Sequence, residues 1–153
     1  MLERQKLEIE LTTVLSIIRQ LLATRERKQF SKVDLNPSQF HLLHHFLAQP
    51  NRSWTVTELS LAMEMNQSGL TKILSVMLEK DLLTVTRGDN DKRLKKYEIT
   101  TTGRDTVLTI GKALMPDISN MFQQLSDHEI RSTSKNLKKL LNWLDNQRDD
   151  IKL

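Results

Sequence analysis

Apolar residues follow a helical period over most of this chain and a strand period over one short part of it. From Leu2 to Arg27 there is no Gly or Pro, and the apolar residues fall four and three positions apart. That is the heptad period of a helix packed along one side. Between Leu83 and Ile99, apolar and polar residues alternate on either side of a charged turn, as in half-buried strands. The pattern predicts a mainly helical chain with one small β-hairpin.

The most informative helical pattern begins at Asn66, a residue type that commonly caps a helix. The predicted apolar face of this helix consists of Leu70, Ile73, Leu74 and Met77. Its opposite face consists of short or flexible hydrogen-bonding side chains, namely Gln67, Ser68, Thr71, Lys72 and Ser75. Such a helix can bury its apolar side and present its polar side to the major groove of DNA.

A hairpin with cations near its tip is predicted directly after this helix. Two segments of period two, 83–86 and 96–99, flank a turn-forming sequence that runs from Arg87 to Arg93. The cations of the hairpin are Arg87, Lys92, Arg93, Lys95 and Lys96. A hairpin in this position can act as a wing, whose cations reach a minor groove or the phosphates beside it.

These motifs resemble those of the MarR family of dimeric winged-helix DNA-binding regulators. The resemblance is carried by Thr57-Glu58-Leu59, Asn66-Gln67-Ser68, Leu70-Thr71-Lys72, Asp91-Lys92-Arg93, Ile99-Thr100 and Gly103. It implies that Asp91 holds Arg93 or the hairpin in place rather than contacting phosphate. The chain departs from the family pattern at Glu64 and Asp81, where the family commonly has Gly, and at Gly69 inside the recognition helix.

The remaining helices of the winged core are predicted from their starts and stripes. Asn36 and Pro37 begin a helix with apolar residues at Phe40, Leu43 and Leu47, ending near residues 49–51. Residues 53–55 are β-prone and are expected to pair beside the wing as a third small strand. Thr57 is then expected to cap the helix that precedes Asn66.

After the wing, the pattern predicts two more helices. The first of them contains Pro116, which should kink or break it. Ser126 and Glu129 form a capping box at the start of the second. We predict one domain over 1–153, with a winged helix-turn-helix part at 36–100 and helical parts at 1–30 and 101–148.

The two chain ends carry apolar stripes that one short chain has little surface to cover. The candidate dimerisation residues are Leu7, Leu11, Val14, Ile18, Leu137, Leu141 and Leu144. Packing within the monomer is the alternative for the first stripe. The resemblance favours a homodimer, in which both stripes are buried against a second copy.

Composition excludes several other classes of protein. The 153 residues carry a net charge of +4, contain no Cys, and include no apolar run near the roughly 18 residues of a membrane span. We find no nucleophile–base pair, Gly-rich phosphate loop or metal motif, and therefore predict no enzyme activity, no cofactor and a cytoplasmic location. His41, His44 and His45 share one helix, and a surface or pocket-lining role is favoured over a metal site. Because imidazole titrates near neutral pH, these histidines could also make ligand or DNA binding depend on pH.

Two functional hypotheses follow. The first is a homodimeric transcriptional regulator, a repressor by the resemblance, that binds a near-palindromic operator in double-stranded DNA. Its candidate DNA contacts are Asn66, Gln67, Ser68, Thr71, Lys72, Ser75, Arg87, Lys92, Arg93, Lys95 and Lys96. The resemblance also implies release by a small aromatic or phenolic ligand bound among the first, second and fifth helices. The alternative is a helical protein-protein interaction module without specific DNA binding.

Overall fold

The computed structural model describes residues 2–88 and 93–147, so the predicted wing residues Asp91 and Lys92 lie outside the described part. Six helices and two strands form within that part. In chain order they are α1 (Glu3–Phe30), α2 (Pro37–Ala48), α3 (Val56–Ala62), α4 (Gln67–Glu79), β1 (Leu83–Arg87), β2 (Lys95–Ile99), α5 (Thr101–Phe122) and α6 (Asp127–Asn146). The predicted mainly helical winged fold is confirmed.

Backbone contacts divide the chain into two compact units, Met1–Gly111 and Lys112–Leu153. The apolar core lies in the first unit, where α2, α3 and α4 pack together below the hairpin. Its fully buried side chains are Leu42, Leu43, Phe46, Leu59, Leu70, Leu74 and Met77. The second unit holds the end of α5 and all of α6. None of the helices in the described part is long and apolar enough to cross a membrane.

Helix starts are fixed by side chains that accept backbone N–H groups, as the sequence predicts at Asn36, Asn66 and Ser126. The predicted cap at Thr57 is wrong. Thr55 caps α3 instead: its Oγ1 accepts from the Glu58 backbone N–H at 3.2 Å, and the Glu58 carboxylate accepts from the Thr55 N–H at 2.8 Å. This reciprocal capping box starts α3 two residues earlier, which places Thr57 on an exposed turn of the helix.

Helices α1 and α2 are in contact, and α2 differs in detail from its predicted form. Helix α1 ends at Phe30, whose ring packs on Phe40 with 5.2 Å between ring centres. On α2 the core face is centred on Leu42, Leu43 and Phe46, whereas Phe40 and Leu47 are only half-buried. Because α2 is apolar around most of its circumference, its contacts with α1, α4 and β2 decide which side is buried.

The two positions where the sequence departs from the family glycine pattern both adopt left-handed backbone. Glu64 has φ 51° and Asp81 has φ 54°. This conformation costs a non-glycine residue roughly 1–2 kcal/mol. Both turns are closed by local backbone hydrogen bonds. The Met65 N–H donates to the Ser60 carbonyl oxygen at 3.1 Å, and the Leu82 N–H donates to the Met77 carbonyl oxygen at 2.9 Å. The expected fold is therefore kept at these positions, at a cost in free energy.

The hairpin pairs β1 with β2 in antiparallel register, with Leu83 opposite Ile99 and Val85 opposite Tyr97. The predicted third strand is a single bridge between Trp54 and Tyr97. The period of two in β1 predicts that Leu83 and Val85 share a buried face, but only Leu83 is buried, and Val85 is 39% exposed. After the hairpin, α5 runs through Pro116 without a break.

Candidate nucleic-acid interface

Helix α4 has the two faces that its sequence predicts. Leu70, Leu74 and Met77 are buried, and Ile73 is half-buried. The predicted contact residues on the helix and its cap are all exposed, namely Asn66, Gln67, Ser68, Thr71, Lys72 and Ser75. The structure therefore places these six side chains together on one solvent-facing surface, which we term the α4 face.

The N-terminal turn of α4 is shaped by Asn66 and Gly69. Asn66 Oδ1 accepts the Gly69 backbone N–H at 2.7 Å. A Cβ at position 69 would lie 3.2 Å from that same oxygen, which is tighter than an ordinary contact. The glycine that weakens the helix by roughly 1 kcal/mol relative to Ala thus gives the capping side chain room to approach.

The wing, which follows α4 in the chain, carries cations. Arg87 and Lys95 lie directly opposite each other on β1 and β2, and both are exposed. Arg93 is exposed, and Lys96 is half-buried. Because β1 follows α4 within three residues and packs against it, the described wing cations belong to the same unit as the α4 face.

A support for the wing that the sequence did not reveal is built around Trp54. Its backbone N–H donates to the Tyr97 oxygen at 2.9 Å, and the Tyr97 N–H donates back to the Trp54 oxygen at 2.8 Å. The Arg52 guanidinium lies 3.6 Å from the Trp54 ring centre and donates to the Glu58 carboxylate at 2.9 Å. The His45 ring packs on Trp54 with 4.5 Å between ring centres. This Trp54 cluster ties β2 to α2 and α3.

Burial and neighbouring charge shift the protonation equilibria of this cluster. The pKa of Glu58 is lowered, first by the Thr55 backbone N–H that its carboxylate accepts and then by the Thr55 hydroxyl and Arg52. The pKa of His45 is lowered by burial and by the nearby charges of Arg52 and His44. Burial raises the pKa of Tyr97. Among the described residues, no group hydrogen-bonds His45 Nε2 or Trp54 Nε1, and both atoms are buried.

Stability is expected to fall in weak acid because of His45. Its pKa is depressed below the ordinary value of 6.5 in the folded chain, so the unfolded chain binds the proton more readily. The contribution of neutral His45 is therefore complete above pH 6.5 and is lost as the pH falls through the depressed pKa. Urea unfolding at several pH values should show a smaller loss of stability in His45→Gln than in the parent chain.

The control for this pH series is His128→Gln, since His128 is exposed on α6 and lies outside the Trp54 cluster. That variant should keep the parent slope of stability against pH. If His45→Gln kept the parent slope of stability against pH, His45 would not be the cause of the loss of stability in weak acid.

The other two histidines of α2 are His41 and His44. His41 Nε2 lies 3.4 Å from a carboxylate oxygen of Glu26, and His44 is exposed. Within the described ranges, no three His, Cys, Asp or Glu side chains are grouped as a metal site would need. His41 and His45 have separate surroundings, one against Glu26 and the other against Trp54.

Both terminal stripes are exposed in the single chain. On α1, the exposed fractions are 56% for Leu7, 47% for Leu11 and 45% for Val14 and Ile18. On α6, they are 37% for Leu137, 61% for Leu141 and 57% for Leu144. Leu137 and Leu141 also line an apolar groove of about 390 Å³ with Phe122 and Leu125. These surfaces are large and apolar enough to bury against a partner.

A cleft of about 380 Å³ opens where the end of α1 meets the start of α2. Phe30, Leu35, Pro37 and Gln39 line it together with Lys80, which is paired with Asp34 at 2.9 Å. The described lining includes residues of α1 and α2 and the residue that follows α4, Lys80, and none of α5. The ligand pocket expected among the first, second and fifth helices therefore stays a prediction.

Comparison with known proteins identifies the same family as the motifs. Residues 33–94 match the model of the MarR family. The match covers the connection before α2, the helices α2 to α4, and the first part of the hairpin. A search of curated proteins returned no match. The resemblance inferred from the motifs is confirmed over this core.

Solved structures share the fold over nearly the whole chain. A MarR family protein from Bacillus stearothermophilus is 25% identical with a TM-score of 0.76, covering 94% of this chain and 98% of its own. The transcriptional regulator BldR from Sulfolobus solfataricus is 19% identical with a TM-score of 0.78, covering 93% and 99%. A mutant MarR from E. coli, solved with operator DNA, is 22% identical with a TM-score of 0.72, covering 87% and 94%.

Proposed function

We propose that this chain, whose residues 33–94 are a MarR-family winged-helix unit, is a transcriptional regulator that binds double-stranded DNA sequence-specifically as a homodimer. The observation that carries the proposal is the exposed α4 face, which lies in the same compact unit as the exposed cations of the wing. A buried apolar side and a solvated polar side are what a helix needs to enter a major groove. The operator complex of the E. coli relative supports the same use of the fold.

In the proposed complex, the two surfaces have different tasks. The α4 face contacts base edges, and Lys72 also reaches a nearby phosphate. Arg87, Arg93, Lys95 and Lys96 contact phosphates or a minor groove from the wing, which fixes the register of the helix without specifying sequence. Two copies related by a twofold axis place their recognition helices roughly 34 Å apart, so the operator is a near-palindrome.

The exposed stripes of α1 and α6 support the homodimer. An exposed apolar stripe along a long helix is typical of a surface that is buried in the working assembly. The same stripes would suit the second candidate function, an interaction module that binds another protein without specific DNA binding. The wing cations favour the regulator, because the interaction module gives them no role.

We further propose that the protein is a repressor and that a ligand releases it from DNA. A bound repressor blocks transcription, and a small aromatic or phenolic ligand would release it by changing the distance between the two recognition helices. A dimer whose recognition helices fit one groove spacing loses DNA affinity when their spacing changes. A ligand causes that change only if it binds the dimer with the altered spacing more tightly. This function requires that the protein reach chromosomal DNA, so we propose a cytoplasmic location.

Removing two wing cations tests DNA binding directly. In the double variant Arg87→Ala with Lys95→Ala, a dimer loses up to four phosphate contacts. We expect operator affinity to fall at least about tenfold, and the slope of log affinity against log salt to become shallower by up to about four. Fluorescence anisotropy with a labelled duplex over a salt series measures both quantities.

The control is Lys135→Ala with Lys139→Ala, which removes the same charge from exposed positions on α6. The control should keep the parent salt slope. Equal losses in the two variants would mean that net charge alone drives binding, and unchanged DNA affinity in the wing variant would favour the interaction module.

A further inference from the structure

Two hydroxyl groups on the α4 face have their hydrogens committed to the helix backbone. Thr71 Oγ1 donates to the Gln67 carbonyl oxygen at 2.7 Å, and Ser75 Oγ donates to the Thr71 carbonyl oxygen at 3.0 Å. Because a carbonyl oxygen can only accept, the hydrogen of each hydroxyl points back into the helix. The outward side of each hydroxyl oxygen therefore offers lone pairs to whatever approaches α4.

Two other side chains of α4 add acceptors. Gln67 Nε2 donates one of its two hydrogens to Thr57 Oγ1 at 3.4 Å, which leaves the amide oxygen and one N–H for a partner. Glu79, at the last turn of α4, is an exposed carboxylate. The sequence of α4 contains no arginine, and its one lysine is Lys72. The central part of the face therefore presents acceptors from Gln67, Thr71 and Ser75, and at Thr71 and Ser75 the hydroxyl hydrogen is not available to a partner.

The four bases differ in what they present to these acceptors. In the major groove guanine shows the acceptors N7 and O6, and its usual protein partner is arginine, which α4 lacks. Adenine presents its N6 amino group and cytosine its N4 amino group, which are donors. The Thr71 methyl group can in addition contact the methyl group of thymine.

We infer that α4 recognises its half-site in part through the exocyclic amino groups of adenine and cytosine, which the hydroxyl oxygens of Thr71 and Ser75 accept. This inference rests on the proposed function, because it specifies which bases the proposed recognition helix contacts. Thr71 and Ser75 are the specificity-determining residues, and Thr57 is a positioning residue that acts by holding Gln67.

Base analogues in a selected operator test the inference. The full chain is first used to select duplexes from a random library. In the selected half-site, 2-aminopurine replaces each adenine in turn, which moves the amino group out of the major groove, and 2-pyrimidinone replaces each cytosine, which removes it. Separately, 7-deazaguanine replaces each guanine, which removes the N7 acceptor.

We expect removal of one amino group to weaken binding of the parent chain about 5- to 10-fold. Thr71→Val keeps the shape and the methyl group but lacks the hydroxyl, so the same analogue should cost it nothing further. Thr71→Ser keeps the hydroxyl and should show the parent loss. Ser75→Ala provides the same comparison at the second hydroxyl, and Thr57→Val should weaken specific binding while leaving the affinity for random DNA unchanged.

Three results would overturn the inference. Losses that are equal in the parent, Thr71→Val and Ser75→Ala would mean that these hydroxyls do not contact the amino groups. A loss of affinity caused by 7-deazaguanine that disappears in Thr71→Val would mean that the Thr71 hydroxyl donates to guanine N7. After either of these two results, sequence-specific binding, and with it the proposed function, would stand. If the full chain selects no sequence at all, the proposed function fails and the inference fails with it.

Discussion

Gly103→Ala is expected to lower the free energy of unfolding by about 3 kcal/mol, or to prevent folding, although alanine is the better helix former. A Cβ at position 103 would lie 2.2 Å from the Leu82 carbonyl oxygen and 2.9 Å from Ile99 Cγ1. The Leu82 oxygen cannot move freely, because it accepts the Thr100 N–H at 3.1 Å. The start of α5 would therefore have to move away from the beginning of β1 and the end of β2.

The same helix supplies a matched control. Gly111 also lies within α5, and a Cβ there would meet nothing within 4 Å. Gly111→Ala should stabilise the chain by roughly 0.5–1 kcal/mol, which is the usual gain within a helix. Urea unfolding of both variants at one protein concentration measures the two effects. A Gly103→Ala variant as stable as Gly111→Ala would show that α5 does not pack as closely on the hairpin as described.

Leu11→Asp combined with Ile18→Asp is expected to make the chain monomeric and to lower operator affinity at least about 100-fold. Both side chains are nearly half exposed on the α1 stripe, so the charges should be tolerated by the single chain but not by an apolar dimer interface. Loss of the partner removes the second half-site contact, which in linked sites contributes about 10²–10⁴ in affinity. Analytical ultracentrifugation and DNA titration measure the two effects.

The control for the dimer variant places the same two charges on the other side of α1. Thr13 and Gln20 are exposed and seven residues apart, like Leu11 and Ile18, but face away from the stripe. Thr13→Asp with Gln20→Asp should stay dimeric and bind the operator normally. A dimeric Leu11→Asp/Ile18→Asp variant would exclude this stripe from the interface.

Local signals explain which parts of the fold the sequence predicts. Asn36, Asn66 and Ser126 act as caps through side-chain bonds to residues three positions later, and such bonds depend on a few neighbouring residues. The two faces of α4 follow from the helical spacing of its apolar residues, Leu70, Ile73, Leu74 and Met77. These local features determine which residues of α4 are exposed, so the exposed residues of the candidate interface can be predicted from the sequence alone.

Long-range contacts explain what the sequence did not predict. Thr55 and Thr57 are chemically equivalent caps, and α3 starts at the first because Trp54 is tied to Tyr97, more than forty residues away. The packing of His45 and Arg52 on Trp54 likewise joins segments whose spacing has no period. The acceptor character of Thr71 and Ser75 depends on where their hydroxyl groups donate, and residue type alone does not show this.

Selection of bound fragments from the genomic DNA of the encoding organism tests the central claim most directly. The full chain is mixed with sheared genomic DNA and excess random competitor, and the retained fragments are sequenced and titrated over a salt series. The account predicts that the fragments share a near-palindrome with half-sites about one helical turn apart, bound with a steep salt dependence. Fragments without a common sequence, retained no better than the competitor, would contradict it.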